Sequence, residues 1–142
     1  MTSHDSALKT LRFEGWTEIA DDGFVDLVGP FFHRTADGGH EYAVVAQTKH
    51  RNIRGVVQGG LLMTFADRTM GLAAYREAKH ALATIQMDTQ FVDSAKIGEV
   101  LLSRPRVIRG TRSLIFMSTE VKVGDRCIIL ASAVFKISKP RE

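Results

Sequence analysis

The chain has one cysteine, three prolines and one tryptophan in 142 residues, and no uninterrupted apolar run that reaches membrane-spanning length. The lone Cys127 forms no internal disulfide, and within CIILASAVF it reads as a structural thiol on a buried strand, because nothing beside it would lower its pKa. A membrane span needs about 18 consecutive apolar residues. The start, MTSHDSALKTLRFEG, also lacks the basic-then-apolar order of a secretory signal, so a cytoplasmic protein without a membrane partner is expected. Charge of one sign is scarce as well: the formal net charge is +3, although Arg104, Arg106, Arg109, Arg112, Lys136, Lys139 and Arg141 crowd the C-terminal third. That tilt suits a phosphate-bearing ligand or simply a solvated basic surface. Without interleaved aromatics or a helix-turn-helix pattern it does not suit nucleic acid. GxGxxG, P-loop and HExxH motifs are absent, and His33, His40, His50 and His80 stand in loops with no acid or thiol at triad or metal spacing. They read as surface histidines, and neither a metal nor a cofactor is expected.

What is present is ordinary globular composition, with 44% hydrophobic and 25% charged residues. Its length suits a single domain over 1–142, with 1–22 as an N-terminal extension holding a short helix around SALKTLRFEGW. GFVDLVG and HEYAVVAQT read as two strands around the turn-rich TADGGH, where Gly38-Gly39 suggests a hairpin. KHRNIRGVVQ reads as a loop. From Gly59 to about Lys79 the chain is rich in helix formers and too long for a strand, so one central helix is expected, apolar around most of its circumference. ATIQMDTQFVD, IGEVLLSRPRVIRG, SLIFMSTEVKVG and RCIILASAVFKIS then read as four strands in an antiparallel meander. Ile115, Met117, Thr119, Val121 and Val123 carry the two-residue period of a dry face. The layout is α+β: a long central helix wrapped by a curved antiparallel sheet of five to six strands. CIILASAVF, apolar on both faces, calls for a cover on the far side, and a second subunit is the expected one.

The segment NIRGVVQGGLLMTFAD concentrates the chemistry. The first N–H groups of a helix lack internal partners and point along a positive dipole end, so Gly59 and Gly60 would let a ligand oxygen approach and could form an oxyanion hole. The same glycines could merely permit tight packing on the sheet. Asp67 is seven residues beyond Gly60 (67 − 60), on the same helix face and about 10 Å along the axis. One carbon cannot be attacked by one group and polarised by the other over that distance. If both serve one reaction, they come from different subunits across a two-fold axis. Against an ion pair with Arg68 on a wet stripe, the positions sharing the face of Asp67, namely Met63, Met70, Gly71 and Ala74, are uncharged. Such an acid acts as nucleophile or as general base on water.

These residues resemble the signature of hotdog-fold acyl-CoA thioesterases of the PaaI type, in which an Asn, a His-Gly-Gly and a helix Asp recur at this spacing. The strand region from FVDSAKIGEV to AVFKIS is similar as well, and GFVDLVGPFF resembles the entry strand of the family's bacterial members, so the resemblance covers about residues 23 to 138. It implies a homodimer or a homotetramer built of dimers, hydrolysing an acyl-CoA thioester to acid and CoA without a cofactor. By position, Gly59 matches the glycine whose N–H polarises the thioester carbonyl, with Gly60 beside it, and Asp67 matches the catalytic carboxylate contributed by the opposite subunit. Asn52 matches a loop asparagine that orients the thioester region, and Thr84 a hydroxyl that positions the attacking water. Gln58 departs from the usual histidine; it can orient by hydrogen bonding but cannot titrate. Arg109, Gly110, Thr111, Arg112 and Ser113 fall in the turn that meets the CoA nucleotide, and the same turn also reads as a solvated hairpin. Two alternatives stand beside hydrolysis: a non-catalytic acyl-CoA sensor, and a hotdog hydratase or dehydratase, which the lack of histidine at position 58 disfavours.

Overall fold

The computed structural model describes residues 3–138. In them a 20-residue helix, α3 (Gly59–Ala78), lies in the trough of one curved antiparallel sheet, the hotdog arrangement. Before it come α1 (Ser3–Phe13), β1 (Thr17–Glu18), α2 (Phe24–Val28), β2 (Phe31–Ala36), β3 (Gly39–Val45) and a 3₁₀ turn (Thr48–His50). After it come β4 (Ala81–Phe91), β5 (Val100–Ser103), β6 (Arg106–Gly110), β7 (Leu114–Val123) and β8 (Arg126–Ser138). The strands run in the order β1-β2-β3-β5-β7-β8-β4, with β6 continuing beside β7 where β5 leaves it.

Local chemistry explains these elements. α3 starts on Gln58 and ends where Lys79 turns left-handed and its N–H closes on the Tyr75 carbonyl at 2.7 Å. It buries Leu62, Phe65, Ala66, Thr69, Met70 and Ala74, and Phe65 meets Phe31 edge to face with ring centroids 5.2 Å apart. Alternation along β7 puts Ile115, Met117, Thr119 and Val121 beneath the helix, and β8 adds Ile129, Ala131, Ala133 and Phe135. Each fully buried side chain of this size contributes about 1.5–3 kcal/mol of transfer free energy. On the opposite face, α1 and the following turn cover β2 and β3 with Leu11 and Trp16 over Phe32, Ala43 and Val45. Buried Glu41 anchors that corner between Arg34 and Arg104. Burial pushes its carboxyl up, and the two guanidinium hydrogen bonds more than offset this, so its pKa lies below the usual carboxylate range.

Several expectations are corrected. GFVDLVG is not a strand but the one-turn α2: Gly23 enters it at φ 86°, and Val25 and Val28, three apart, pack inward while Phe24 and Leu27 face out. The strand before the hairpin is instead β2, and the chain reverses at Asp37-Gly38, both at positive φ. IGEVLLSRPRVIRG breaks into β5 and β6 around Pro105, which has no N–H for a ladder, and the short β1 adds an edge strand, so the sheet has eight strands among the described residues rather than five or six. The four-strand meander is also corrected. β5–β6, β7 and β8 are consecutive neighbours, but β4 pairs with β8 along Ala81–Phe91 and forms the edge of the sheet. β4 follows the helix directly, and so re-enters the sheet at the far side of the trough. No described helix is long and apolar enough to cross a membrane.

Candidate active site

The start of α3 is tied down from several directions. The Val57 N–H reaches the Ala95 carbonyl at 2.9 Å, the Gln58 N–H reaches the His50 carbonyl at 2.7 Å, and Val56 bridges to Lys96. The preceding loop closes on itself, with Asn52 N–H on the Val56 carbonyl at 2.7 Å. The Asn52 side-chain oxygen accepts from the N–H groups of Arg54 at 2.9 Å and Val56 at 3.3 Å. Asn52 therefore shapes the loop that presents the helix start. Gln58 is the N-cap, and its side-chain oxygen accepts the Gly59 N–H at 3.0 Å. The carboxamide thus occupies the first N–H of the helix. Gly60 is exposed beside it. Phe91, the last residue of β4, lays its ring against Gly59: a Cβ built there would lie 3.0 Å from the ring edge.

Asp67 is half-buried in the middle of α3, and its Oδ1 accepts the Thr84 hydroxyl from β4 at 2.8 Å. The neighbour that could have neutralised it is engaged elsewhere: Arg68 binds Asp21, with Nε at 3.1 Å and a terminal nitrogen at 2.9 Å. Asp67 and Thr84, the latter expected only from the resemblance, are therefore brought together within one protomer. Gly59 is not brought to them within one protomer, because eight residues of helix (67 − 59) separate it from Asp67, about 12 Å along the axis. Arg109, Gly110, Thr111, Arg112 and Ser113 form an exposed β6–β7 turn, in which the Thr111 hydroxyl caps Leu114. Leu114 pairs with Lys136, which pairs with Ala83, so the turn lies near the C-terminal end of α3, a helix length away from its own Gly59.

The remaining candidates sort by environment. His50, expected on the surface, is buried: its Nδ1 accepts the Gln47 N–H at 2.9 Å, which leaves Nε2 to donate to the Val28 carbonyl, a structural cross-brace for α2. His33 stacks on His40 beside Arg76 and Tyr42, and burial first, then Arg76, hold its pKa below the ordinary value. The Cys127 thiol is pushed up by burial and then by Glu120, as suits an unreactive thiol. Among the described residues no three His, Cys, Asp or Glu side chains are grouped to hold a metal. A concavity on the opposite face of the sheet, lined by Asp88, Arg106, Ser118, Glu120, Leu130 and Ser132, holds none of the expected site residues. Phe91 escaped the sequence reading because an apolar residue closing a strand carries no signal of the glycine it will meet.

Comparison with known proteins bears on this geometry. Residues 54–128 match the family model described as the thioesterase superfamily. A provisionally named esterase of Pseudomonas aeruginosa is 33% identical over 117 residues, which cover 80% of this chain and 87% of that one. The acetyl-coenzyme A thioesterase of Rattus norvegicus is 33% identical over 81 residues, but these span 56% of this chain and only 15% of the rat protein. Among solved structures, the BH2602 protein of Bacillus halodurans, crystallised with CoA, superposes with a TM-score of 0.77 at 15% identity, covering 98% of this chain and 91% of that one. A mutant of the phenylacetic acid degradation protein PaaI from Thermus thermophilus gives 0.74 at 18% identity, over 82% of this chain and all (100%) of that one.

Proposed function

The chain belongs to the thioesterase superfamily, and on that premise we propose that it hydrolyses acyl-CoA thioesters at paired sites, each built from the helix start of one protomer and Asp67 of its mate. The observation that carries the reading is the half-buried carboxylate of Asp67 in the middle of an apolar helix. Its neighbour Arg68 is turned away to Asp21, and one oxygen is held by Thr84 on the sheet's edge strand. A carboxylate that is oriented and has no counter-cation among the described residues is what a base or nucleophile requires.

The thioester carbonyl oxygen displaces the Gln58 carboxamide from the Gly59 N–H and gathers charge there, at the positive end of the helix dipole. Asp67 Oδ2, left open by Thr84, takes the proton of a water that adds to the carbonyl carbon, or attacks that carbon itself. Collapse of the adduct breaks the C–S bond. In the water route the acid departs and the proton held by Asp67 passes to the CoA thiolate. In the direct route the acyl group stays on Asp67 as a mixed anhydride, the thiolate takes a proton from solvent, and a water then hydrolyses the anhydride to release the acid and restore the carboxylate. Within one protomer the two groups are about 12 Å apart along the helix, and pairing two copies along their β4 edges would bring Gly59 of one toward Asp67 of the other. Arg109 and Arg112 would receive CoA phosphates, a role supported by their exposed guanidinium groups and the hydroxyl-bearing turn. The relatives' names support CoA esters as substrates.

Release of free thiol from a panel of short, medium, long-chain and aryl acyl-CoAs tests the reading with wild type and Asp67→Asn side by side. Turnover of one class that disappears in the variant, with the fold retained by circular dichroism, is the expected result. Undiminished turnover in Asp67→Asn refutes the assignment. Coexpression of Asp67→Asn with Gly59→Ala protomers should restore activity by forming one intact shared site per mixed dimer; failure to do so refutes the sharing.

A further inference from the structure

Three hydroxyls lie in line through the core beneath α3. Thr69 Oγ1 on the helix is 2.8 Å from Ser103 Oγ on β5, and Ser103 Oγ is 2.8 Å from Thr119 Oγ1 on β7. All three residues are buried, Thr69 and Ser103 completely. Three hydroxyl protons serve these contacts, so both 2.8 Å links hold while one end donates to backbone, Thr69 to the Ala66 carbonyl at 3.3 Å or Thr119 to the Glu120 carbonyl at 3.4 Å.

Stability does not account for them. Valine or alanine would fill the same space, and replacing both partners of a buried hydrogen bond by apolar groups of like shape is close to neutral. Directionality is what the hydroxyls add. Around Thr69 the helix contributes Ala66, Met70 and Ala74 to a core shared with Ile115, Met117, Ala131 and Ala133, apolar contacts that have no preferred direction. Such contacts resist a roll of the helix through packing alone. A hydrogen bond between buried partners adds a direction, because rotation that breaks it gives up a contact that no water replaces.

The position of Thr69 makes the roll matter. Two residues from Asp67, it points about 200° away around the axis, so the helix is held by polar contacts on opposite flanks. On one flank Thr69 reaches Ser103, and on the other Asp67 reaches Thr84. With side-chain tips about 5–6 Å from the axis, a roll of about 10° carries a carboxylate ~1 Å. That would stretch the 2.8 Å contact with Thr84 beyond hydrogen-bond range. Misplacement on that scale costs an enzyme about a hundredfold in rate.

We propose that the chain Thr69–Ser103–Thr119 fixes the roll of α3 and so keeps Asp67 aligned, which makes Thr69 a positioning residue for the reaction; the proposal rests on Asp67 being the reacting carboxylate. The test is the full-length protein carrying Thr69→Val, Ser103→Ala and Thr119→Val together, with Thr69→Ser and Asp67→Asn alongside. Melting temperature, kcat and KM are measured for the acyl-CoA that wild type turns over. The expected result is a melting temperature at or near that of wild type, a fall in kcat of fivefold or more with KM unchanged within threefold, and recovery in Thr69→Ser. A purely structural role would move the melting temperature and leave kcat per folded protomer alone. A fall in kcat of less than fivefold in the triple variant overturns the proposal, and so does a loss of rate that Thr69→Ser shares. If the triple variant fails to fold, Thr69→Val alone is held to the same threshold. Full activity in Asp67→Asn would instead sink the assignment of the carboxylate, and an inactive Asp67→Asn beside a fully active triple variant would sink the positioning role alone.

Discussion

Gly59→Ala puts a single methyl group at the centre of the proposed site. The new Cβ would lie 3.0 Å from Phe91 Cε1, 3.3 Å from Cζ and 3.7 Å from Cδ1. Comfortable carbon–carbon contact needs about 3.5–4.0 Å, so the ring must retreat by roughly 0.5 Å or more. In the single protomer it can do so cheaply: Phe91 closes an edge strand and is 56% exposed. Alanine is also a better helix residue than glycine by up to about 1 kcal/mol, so the net change in stability should stay within ~1 kcal/mol of zero. Activity should respond far more. A methyl group and a displaced ring beside the Gly59 N–H hold a carbonyl oxygen off the 2.7–3.1 Å approach that an oxyanion donor requires, and loss of one such donor costs about 10²–10³ in kcat. Thiol release with saturating acyl-CoA should therefore fall about a hundredfold while the melting temperature hardly moves. Adding Phe91→Ala should return at least a tenth of the lost rate, judged against Phe91→Ala alone, since the ring no longer crowds the methyl. A Gly59→Ala enzyme within threefold of wild-type kcat would refute the claim that this N–H receives the carbonyl oxygen.

Two further outcomes follow from the same contacts. Thr84→Val removes the hydroxyl 2.8 Å from Asp67; a hydrogen bond to a charged group is worth about 1.5–3 kcal/mol and solvent competes at this strand, so kcat should drop about tenfold with KM little changed, and Thr84→Ser should restore it. Glu41 has a folded-state pKa below its unfolded one, so its contribution to stability is complete above the ordinary carboxylate pKa of about 4.3 and is lost as pH falls through the lower folded value. Thermal melts of wild type should therefore drop more steeply between about pH 5 and 3 than those of Glu41→Gln, and parallel curves would show that the Arg34 and Arg104 contacts carry no such linkage.

The central helix was legible because its signals are local: a glycine pair at the start, twenty residues of helix formers, and a change of period after Ala81. The dry face of β7 was legible for the same reason. What failed depended on partners distant in sequence. GFVDLVG has strand-like composition, but Lys49 and His50 bind the carbonyls of Leu27 and Val28 at the end of a helical turn, and nothing in a seven-residue window shows this. β4 reads as the first strand of a meander, yet β8, the last strand, is the one that completes it. In the candidate site, Asp67 stood out from the residues themselves, whereas Thr84 was placed by family resemblance. The engagement of Arg68 by Asp21, 47 residues away (68 − 21), was beyond any local pattern. Thr69 and Ser103 carried no sign of their role, since a small polar residue in an apolar run looks the same whether its hydroxyl meets another hydroxyl or a backbone carbonyl.

The aspartate in the most apolar helix finds its explanation in what the protomer leaves open. Edge strands are ordinarily blunted by charge, proline or short length. β4 has none of these protections over most of its eleven residues: Ile85 and Phe91 are more than half exposed, and no strand lies along its second edge among the described residues. The helix stripe beside it exposes Met63 and leaves Asp67 half-open. An exposed apolar edge next to a carboxylate would be a liability in an isolated protomer. It becomes consistent if the same surface is closed by a second copy, because closure would desolvate the edge, exclude water around Asp67 and supply the Gly59 N–H that the protomer's own helix holds about 12 Å away. In that arrangement the demand for cover and the demand for a second catalytic group would be met by one contact.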